Sequence, residues 1–253
     1  MTSNILILGA TRGLGASLRT LYSAKTATHV FATSRSSNPE PSAGVTWLTG
    51  IDISKPDVGE KLVFQLPPTK LSTVIVTAGY FGFETFESPN WEKQVQMYTT
   101  SAIGPVFVIH NLVKAGLLDQ GSKVILVSSE SGSITLRHEQ EGGGNFGHHA
   151  SKAALNMVGK LLSLDLKSKG IAVGLVHPGF MRTEMTKSVG FDKYWDAGGA
   201  VTPDQAAKTL ASFIEGFDIG KTGEFWAPAG PRDIGTAEAV LGKNLPTPLQ
   251  LPW

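Results

Sequence analysis

The chain contains no cysteine. Disulfides, thiolate nucleophiles and sulfur-ligated metals are thereby excluded, and a reducing compartment is expected. A large net charge of either sign is missing too. The 22 basic and 21 acidic side chains leave +1, which gives neither a nucleic-acid footprint nor an acidic tail. No pair among the histidines has a metal-ligand spacing, so no metal is expected. Nor is a basic leader expected. Met1-Thr2-Ser3-Asn4 runs directly into Ile5-Leu6-Ile7-Leu8, an apolar stretch too short for a secretory core or a membrane span. These absences point to a cytoplasmic, soluble protein whose partners are small molecules, with no nucleic acid and no membrane.

What is present is an alternation of short apolar runs and amphipathic stretches over 253 residues, enough for one large α/β domain spanning 1–253. Runs at 4–8, 29–33, 45–48, 73–77, 122–128, 171–176 and 223–227 read as strands. Helices are expected near 13–25, 55–66, 90–117, 147–169 and 203–217, the last opened by the capping Thr202 and first-turn Pro203. Seven strands separated by helices predict a doubly wound, seven-stranded parallel sheet with helices on both faces. Two segments read as loops, 130–146 with Gly142-Gly143-Gly144, and 184–202 with Phe191, Tyr194 and Trp195. Loops after parallel strands are where such sheets keep ligands. The segment 228–253 carries five prolines and reads as a surface wrap.

The first strand runs into Gly9-Ala10-Thr11-Arg12-Gly13-Leu14-Gly15 and then a helical pattern. Glycines at this spacing allow a tight turn and close approach of backbone to a pyrophosphate, whose charge is favoured at the following helix N-terminus. The second strand ends Ala32-Thr33-Ser34-Arg35-Ser36-Ser37. An acidic residue there would hold the ribose hydroxyls of NAD. Here Arg35, with Arg12 from the loop and Ser34, suits a 2′-phosphate instead, so NADP(H) is the expected cofactor.

With these motifs in order, the sequence resembles the short-chain dehydrogenase/reductase family along most of its length. That resemblance implies a single-domain Rossmann fold and an oxidoreductase. Asp52, in Gly50-Ile51-Asp52-Ile53, matches the family's adenine-contacting position. Thr77-Ala78-Gly79 matches its Asn-Ala-Gly motif, with threonine for asparagine. In Ser128-Ser129-Glu130-Ser131-Gly132 the second serine, Ser129, matches the catalytic serine. Pro178-Gly179 follows the sixth strand, and Thr183 falls where the family bonds the nicotinamide carboxamide. Ala150-Ser151-Lys152-Ala153-Ala154-Leu155 matches the active-site helix, with Lys152 implied to hold the nicotinamide ribose.

Two of the four catalytic positions also depart from the family pattern. Four residues before Lys152, where the family has tyrosine, stands His148. None of Tyr22, Tyr80, Tyr98 and Tyr194 has a lysine four residues on. The position of the family's helix asparagine, three residues before Gly104, holds Ser101. The resemblance thus implies a catalytic set of Ser129, His148, Lys152 and Ser101. His148 and Lys152 are one helical turn apart on one face, whereas His149 is expected to point about 100° away. An imidazole N–H and the Ser129 hydroxyl could bond a carbonyl oxygen while hydride is delivered. An NADPH-dependent reductase of a carbonyl, or of a related C=N or C=C acceptor, is the leading expectation. A hydride-independent cyclisation or isomerisation, and a non-catalytic NADP(H) binder, stay open beside it.

The remaining residues have plainer expectations. His29, His110 and His138 read as packing or surface groups, His177 as support for Pro178, and Glu130 as a solvated loop carboxylate. Tyr194 and Trp195 are candidate contacts for a moderately hydrophobic substrate. By resemblance, a homodimer or homotetramer pairing the helices at 90–117 and 147–169 is expected.

Overall fold

The N-terminal apolar run forms β1 (Ser3–Leu8), where Ile5, Leu6, Ile7 and Leu8 are all buried. Burial of consecutive residues means that both faces of the strand are covered, as in a parallel sheet. The computed structural model describes residues 2–253. After β1 come α1 (Gly13–Ser23), β2 (Thr28–Thr33), β3 (Val45–Leu48), α2 (Val58–Gln65), β4 (Thr73–Val76), α3 (Trp91–Tyr98) and α4 (Gly104–Lys114). Then follow β5 (Lys123–Val127), α5 (Phe146–Leu166), β6 (Ala172–Val176), α6 (Glu184–Ser188), α7 (Pro203–Glu215), β7 (Phe225–Ala227), α8 (Ala237–Leu241) and β8 (Leu249–Gln250).

The strands form one sheet in the order β3-β2-β1-β4-β5-β6-β7-β8. Every pairing from β3 to β7 is parallel. Alternate residues feed two cores. On one face Leu6, Val74 and Leu126 pack with Leu62 of α2, Val108 and Leu112 of α4, and Leu155 of α5. On the other, Ile5, Ile7 and Ile125 pack with Leu18 of α1 and with Leu210 and Ile214 of α7. Strand order reverses between β1 and β4, which opens a crevice at the carboxyl ends of the strands. No helix among the described residues is long and apolar enough to cross a membrane.

Three features differ from the sequence expectation. The sheet has eight strands, because β8 adds an antiparallel edge through Trp226–Gln250 and Ala227–Leu249. The segment 228–253 is therefore more than a surface wrap. It buries Ile234, Ala237, Leu249 and Leu251 in the core. The helix expected over 90–117 is interrupted by a π-turn at Thr99–Ile103. Pro105, in the first turn of α4, has no N–H to donate to the carbonyl four residues back, that of Ser101, so regular α-helix cannot run through.

Candidate functional site

A cleft of about 840 Å³ opens at the crevice. Its first wall is the turn from β1 into α1. Gly9 has φ +88°, and a Cβ there would stand 2.7 Å from the backbone of Ala78; one on Gly15 would stand 2.2 Å from the Gly9 carbonyl oxygen. Only glycine permits this closeness. Thr77 fixes the same turn from β4, its Oγ1 donating to the Leu8 carbonyl at 2.8 Å, while the Gly9 N–H donates to Thr33 Oγ1 at 3.0 Å. Thr11, Arg12, Gly13, Leu14 and Gly15 all line the cleft, Arg12 and Arg35 with exposed side chains. Ser34, Asp52, Ile53, Ala78 and Gly79 continue the wall, and Pro178, Gly179 and Thr183 close it beyond β6.

The opposite wall is the first turn of α5 with the loop after β5. Ser129 Oγ and Ser131 Oγ are 2.6 Å apart, and Ser131 Oγ lies 3.5 Å from His148 Nδ1. His148 stacks on Phe81 with ring centroids 4.1 Å apart. One turn on, Lys152 is buried and its Nζ donates to the Val127 carbonyl at 2.9 Å. Ser128 is turned away, donating to Asn156 Oδ1 at 2.6 Å. Glu84 holds the start of α5. Its Oε1 accepts the Gly147 N–H at 2.6 Å, and its backbone carbonyl accepts the N–H of Asn145, a residue in left-handed conformation at φ 48°.

Residues 3–193 match the short chain dehydrogenase family. The chain belongs to that family. A 1-hydroxy-2-glutathionyl-2-methyl-3-butene dehydrogenase of Rhodococcus sp. (strain AD45) is 28% identical over 225 residues, covering 88% of this chain and 95% of the relative. Among solved structures, the carbonyl reductase Sniffer of D. melanogaster superposes with TM-score 0.77 at 21% identity, covering the whole of both chains. The NADPH-bound carbonyl reductase from chicken fatty liver superposes with TM-score 0.73 at 20% identity, over 89% of this chain and 96% of that one. At those identities the two structures establish the shared fold. This chain is an oxidoreductase of the short chain dehydrogenase type, a family that binds nicotinamide cofactors.

The electrostatics of this short chain dehydrogenase follow from enclosure. Burial pushes Lys152 down from 10.5 to about 8, and no carboxylate offsets it. Burial, then the charges of Lys152, His149 and Arg137, hold the His148 imidazolium well below the ordinary histidine range. His149 is pushed down to about 4 by burial and Arg137. Both rings are therefore neutral near pH 7. Burial disfavours the Asp52 carboxylate, but the Ser54 N–H and hydroxyl, with Arg35 and Lys55 nearby, outweigh it and hold its pKa below the usual value. Glu84 behaves alike. Burial would raise it, yet the N–H groups of Gly147 and Asn90 and the Gln94 amide bring it down.

Several residues sit elsewhere than the sequence suggested. Ser101 is buried in the π-turn with no partner for its Oγ among the described residues and does not line the cleft, where Gln96 and Thr100 stand instead. Trp195 is also off the wall. Its Nε1 donates to Thr186 Oγ1 at 3.2 Å and Arg182 lies over its ring, so the indole braces the 184–202 loop from behind. Tyr194, together with Phe191, does line the cleft. His149 does not point away; its Nδ1 is 3.3 Å from His148 Nδ1, and the ring lines the same cleft. Glu130 is paired with Arg137 rather than simply solvated, and Arg137 also reaches Glu141 at 3.2 Å.

His177 supports the backbone, as the sequence suggested, but with a partner no pattern announced. Its Nδ1 accepts the Glu130 N–H at 3.1 Å, and its Nε2 meets Asp233 Oδ2 at 2.9 Å. The Phe180 N–H also donates to Asp233. Burial disfavours the carboxylate, but these two donors outweigh it and its pKa falls. Phe81, Glu84, Ser131 and Asp233 were all missed. Only Ser131, two residues beyond Ser129, carried a local signal.

Proposed function

We propose that this chain is an NADPH-dependent reductase of a carbonyl, or a related polarised acceptor, on a moderately hydrophobic small molecule. The observation that carries the reading is the glycine-only cradle at Gly9 and Gly15, with exposed Arg12 in the same turn and exposed Arg35, in place of a carboxylate, after β2. Such a cradle takes a pyrophosphate, and paired guanidinium groups take a phosphate dianion. Thr11, Gly13 and Leu14 would hold the pyrophosphate, and Arg12, Ser34 and Arg35 the 2′-phosphate. Asp52, Ile53, Ala78 and Gly79 would border the adenine side, and Lys152, Pro178, Gly179 and Thr183 the nicotinamide side. NADPH, when bound, supplies the hydride.

The chain's own groups supply orientation and a proton. The Ser129 hydroxyl and the His148 N–H bond the acceptor oxygen, placing its carbon toward the nicotinamide end. Phe81 stacks on the imidazole and fixes its plane, and the Lys152 ammonium adds positive charge where negative charge builds on oxygen. Phe81, Phe191 and Tyr194 offer the apolar surface that selects a hydrophobic substrate. Exposed Val106 and Phe107 on α4 and Met157, Leu161 and Leu164 on α5 suit pairing of two copies through these helices.

Fluorescence titration with NADPH and NADH, followed by nicotinamide absorbance with a panel of aldehydes and ketones, tests this reading. Tighter NADPH binding and steady NADPH consumption support it. Product formation without net cofactor oxidation, or tight binding with no turnover on any acceptor, would contradict it.

A further inference from the structure

His148 cannot act alone. Its ring is neutral, so it stores no ionised proton, and a neutral imidazole that gives up its Nε2 hydrogen becomes an imidazolate unless a proton arrives at Nδ1 in the same event. Two groups touch that Nδ1, Ser131 Oγ at 3.5 Å and His149 Nδ1 at 3.3 Å. Ser131 is buried and already bonded to Ser129 at 2.6 Å, and passing on its proton would leave an alkoxide. His149 is partly exposed and has a second ring nitrogen with which to take up a proton. Two neutral imidazoles can meet nitrogen to nitrogen only when one presents N–H and the other a lone pair.

We propose that His149 is the proton relay behind His148, connecting the acceptor oxygen to solvent through two imidazole rings. The inference rests on the reductase reading for the identity of that oxygen. In reduction, the carbonyl carbon gains the hydride from NADPH, which leaves as NADP⁺, and the π electron pair goes to oxygen. That oxygen takes the Nε2 hydrogen of His148, Nδ1 of His148 takes the Nδ1 hydrogen of His149, and a solvent proton joins Nε2 of His149. One hydride and one solvent proton are consumed, and neither ring is left charged. Each ring ends as its other tautomer and is reset by water when the cleft empties. In oxidation the same path runs backward.

The groups facing the pair fit this use. Arg137 is held between Glu130 and Glu141, and Lys152 lies one turn along α5. The two cations disfavour any lasting positive charge on the rings, which suits a neutral path and not a charged acid. Glu84 seats the first turn of α5, and with it both histidines, through the Gly147 N–H.

The test uses single-turnover reduction of benzil, an aromatic diketone, by NADPH-saturated enzyme. His149→Ala should slow the step about a hundredfold with NADPH affinity unchanged, and free imidazole should restore part of the rate. His149→Gln, which keeps volume and polarity, should stay slow and resist rescue. A rate within twofold of wild type in either variant, or a loss that imidazole does not relieve in His149→Ala, overturns the relay. If wild-type enzyme reduces no carbonyl, the reductase reading fails by itself. Nitrogen-15 spectra of ring-labelled histidine then decide the pairing: one Nδ1 protonated and the other bare supports it, and two alike overturn it.

Discussion

Lys152 Nζ donates to the Val127 carbonyl oxygen at 2.9 Å, tying the second turn of α5 to the end of β5 at the cleft floor. The ammonium is buried without a carboxylate, which is why its pKa sits at about 8. Because the folded value lies below the unfolded one, the native state sheds this proton first as pH rises. Stability from this group therefore increases between about pH 8 and pH 10.5. Below that window the charge costs the fold up to about 3 kcal/mol, an upper bound from the shift alone. Lys152→Met should raise the melting temperature at neutral pH while weakening NADPH binding and abolishing turnover. Calorimetry with a cofactor titration checks both halves, and wild-type activity should decline as pH rises through the same value.

Arg35 stands at the end of β2 beside Asp52, whose pKa it helps to lower. Arg35→Ala should weaken NADPH binding roughly tenfold to a hundredfold, the range of one charge-assisted hydrogen bond set. NADH affinity should change little. Parallel titrations of the two cofactors give the ratio directly, and the NADPH affinity of wild type should also fall with added salt.

Gly15→Ala would place a methyl 2.2 Å from the Gly9 carbonyl oxygen. The obstacle is backbone, so the turn must open. NADPH affinity should fall at least tenfold, with stability reduced by about 1–3 kcal/mol as for an overpacked core. Cofactor titration and urea unfolding measure the two effects separately.

Much of this was legible in the sequence because it is local. Four-residue apolar runs give strands, and glycine spacing after β1 gives the cradle. The same turn gives Arg12 and the end of β2 gives Arg35. What was not legible depends on distant segments meeting. Asp233 reaches His177 from 56 residues away, and Glu84 reaches Gly147 from 63. The antiparallel β8 was hidden by its two-residue length and flanking prolines. The orientation of His149 was misjudged because an ideal helical wheel ignores side-chain rotamers. Neighbouring rings in a first turn can lean together when a nitrogen-to-nitrogen contact is available. Trp195 failed for a related reason, since an aromatic residue in a loop can brace the loop from either side.

Asp233 joins the chain's last segment to the site by accepting from His177 Nε2 and the Phe180 N–H. Its pKa is depressed, so its contribution is complete above the ordinary aspartate range and is lost as pH falls through the lower folded value. Asp233→Ala leaves two buried donors unpaired and should cost roughly 2–5 kcal/mol. Asp233→Asn, which keeps one acceptor oxygen, should cost less. Urea unfolding at neutral and acid pH should show the wild-type advantage shrinking in acid.

The central proposal is that His148, four residues before Lys152 where the family pattern has tyrosine, donates to the acceptor oxygen. His148→Phe keeps a ring to stack on Phe81 and removes both nitrogens, so it isolates the proton-donating role from packing. With NADPH saturating, its single-turnover reduction rate should fall about a hundredfold or more, while NADPH affinity and melting temperature stay near wild type. A His148→Phe enzyme that reduces the same carbonyl at the wild-type rate would contradict the account.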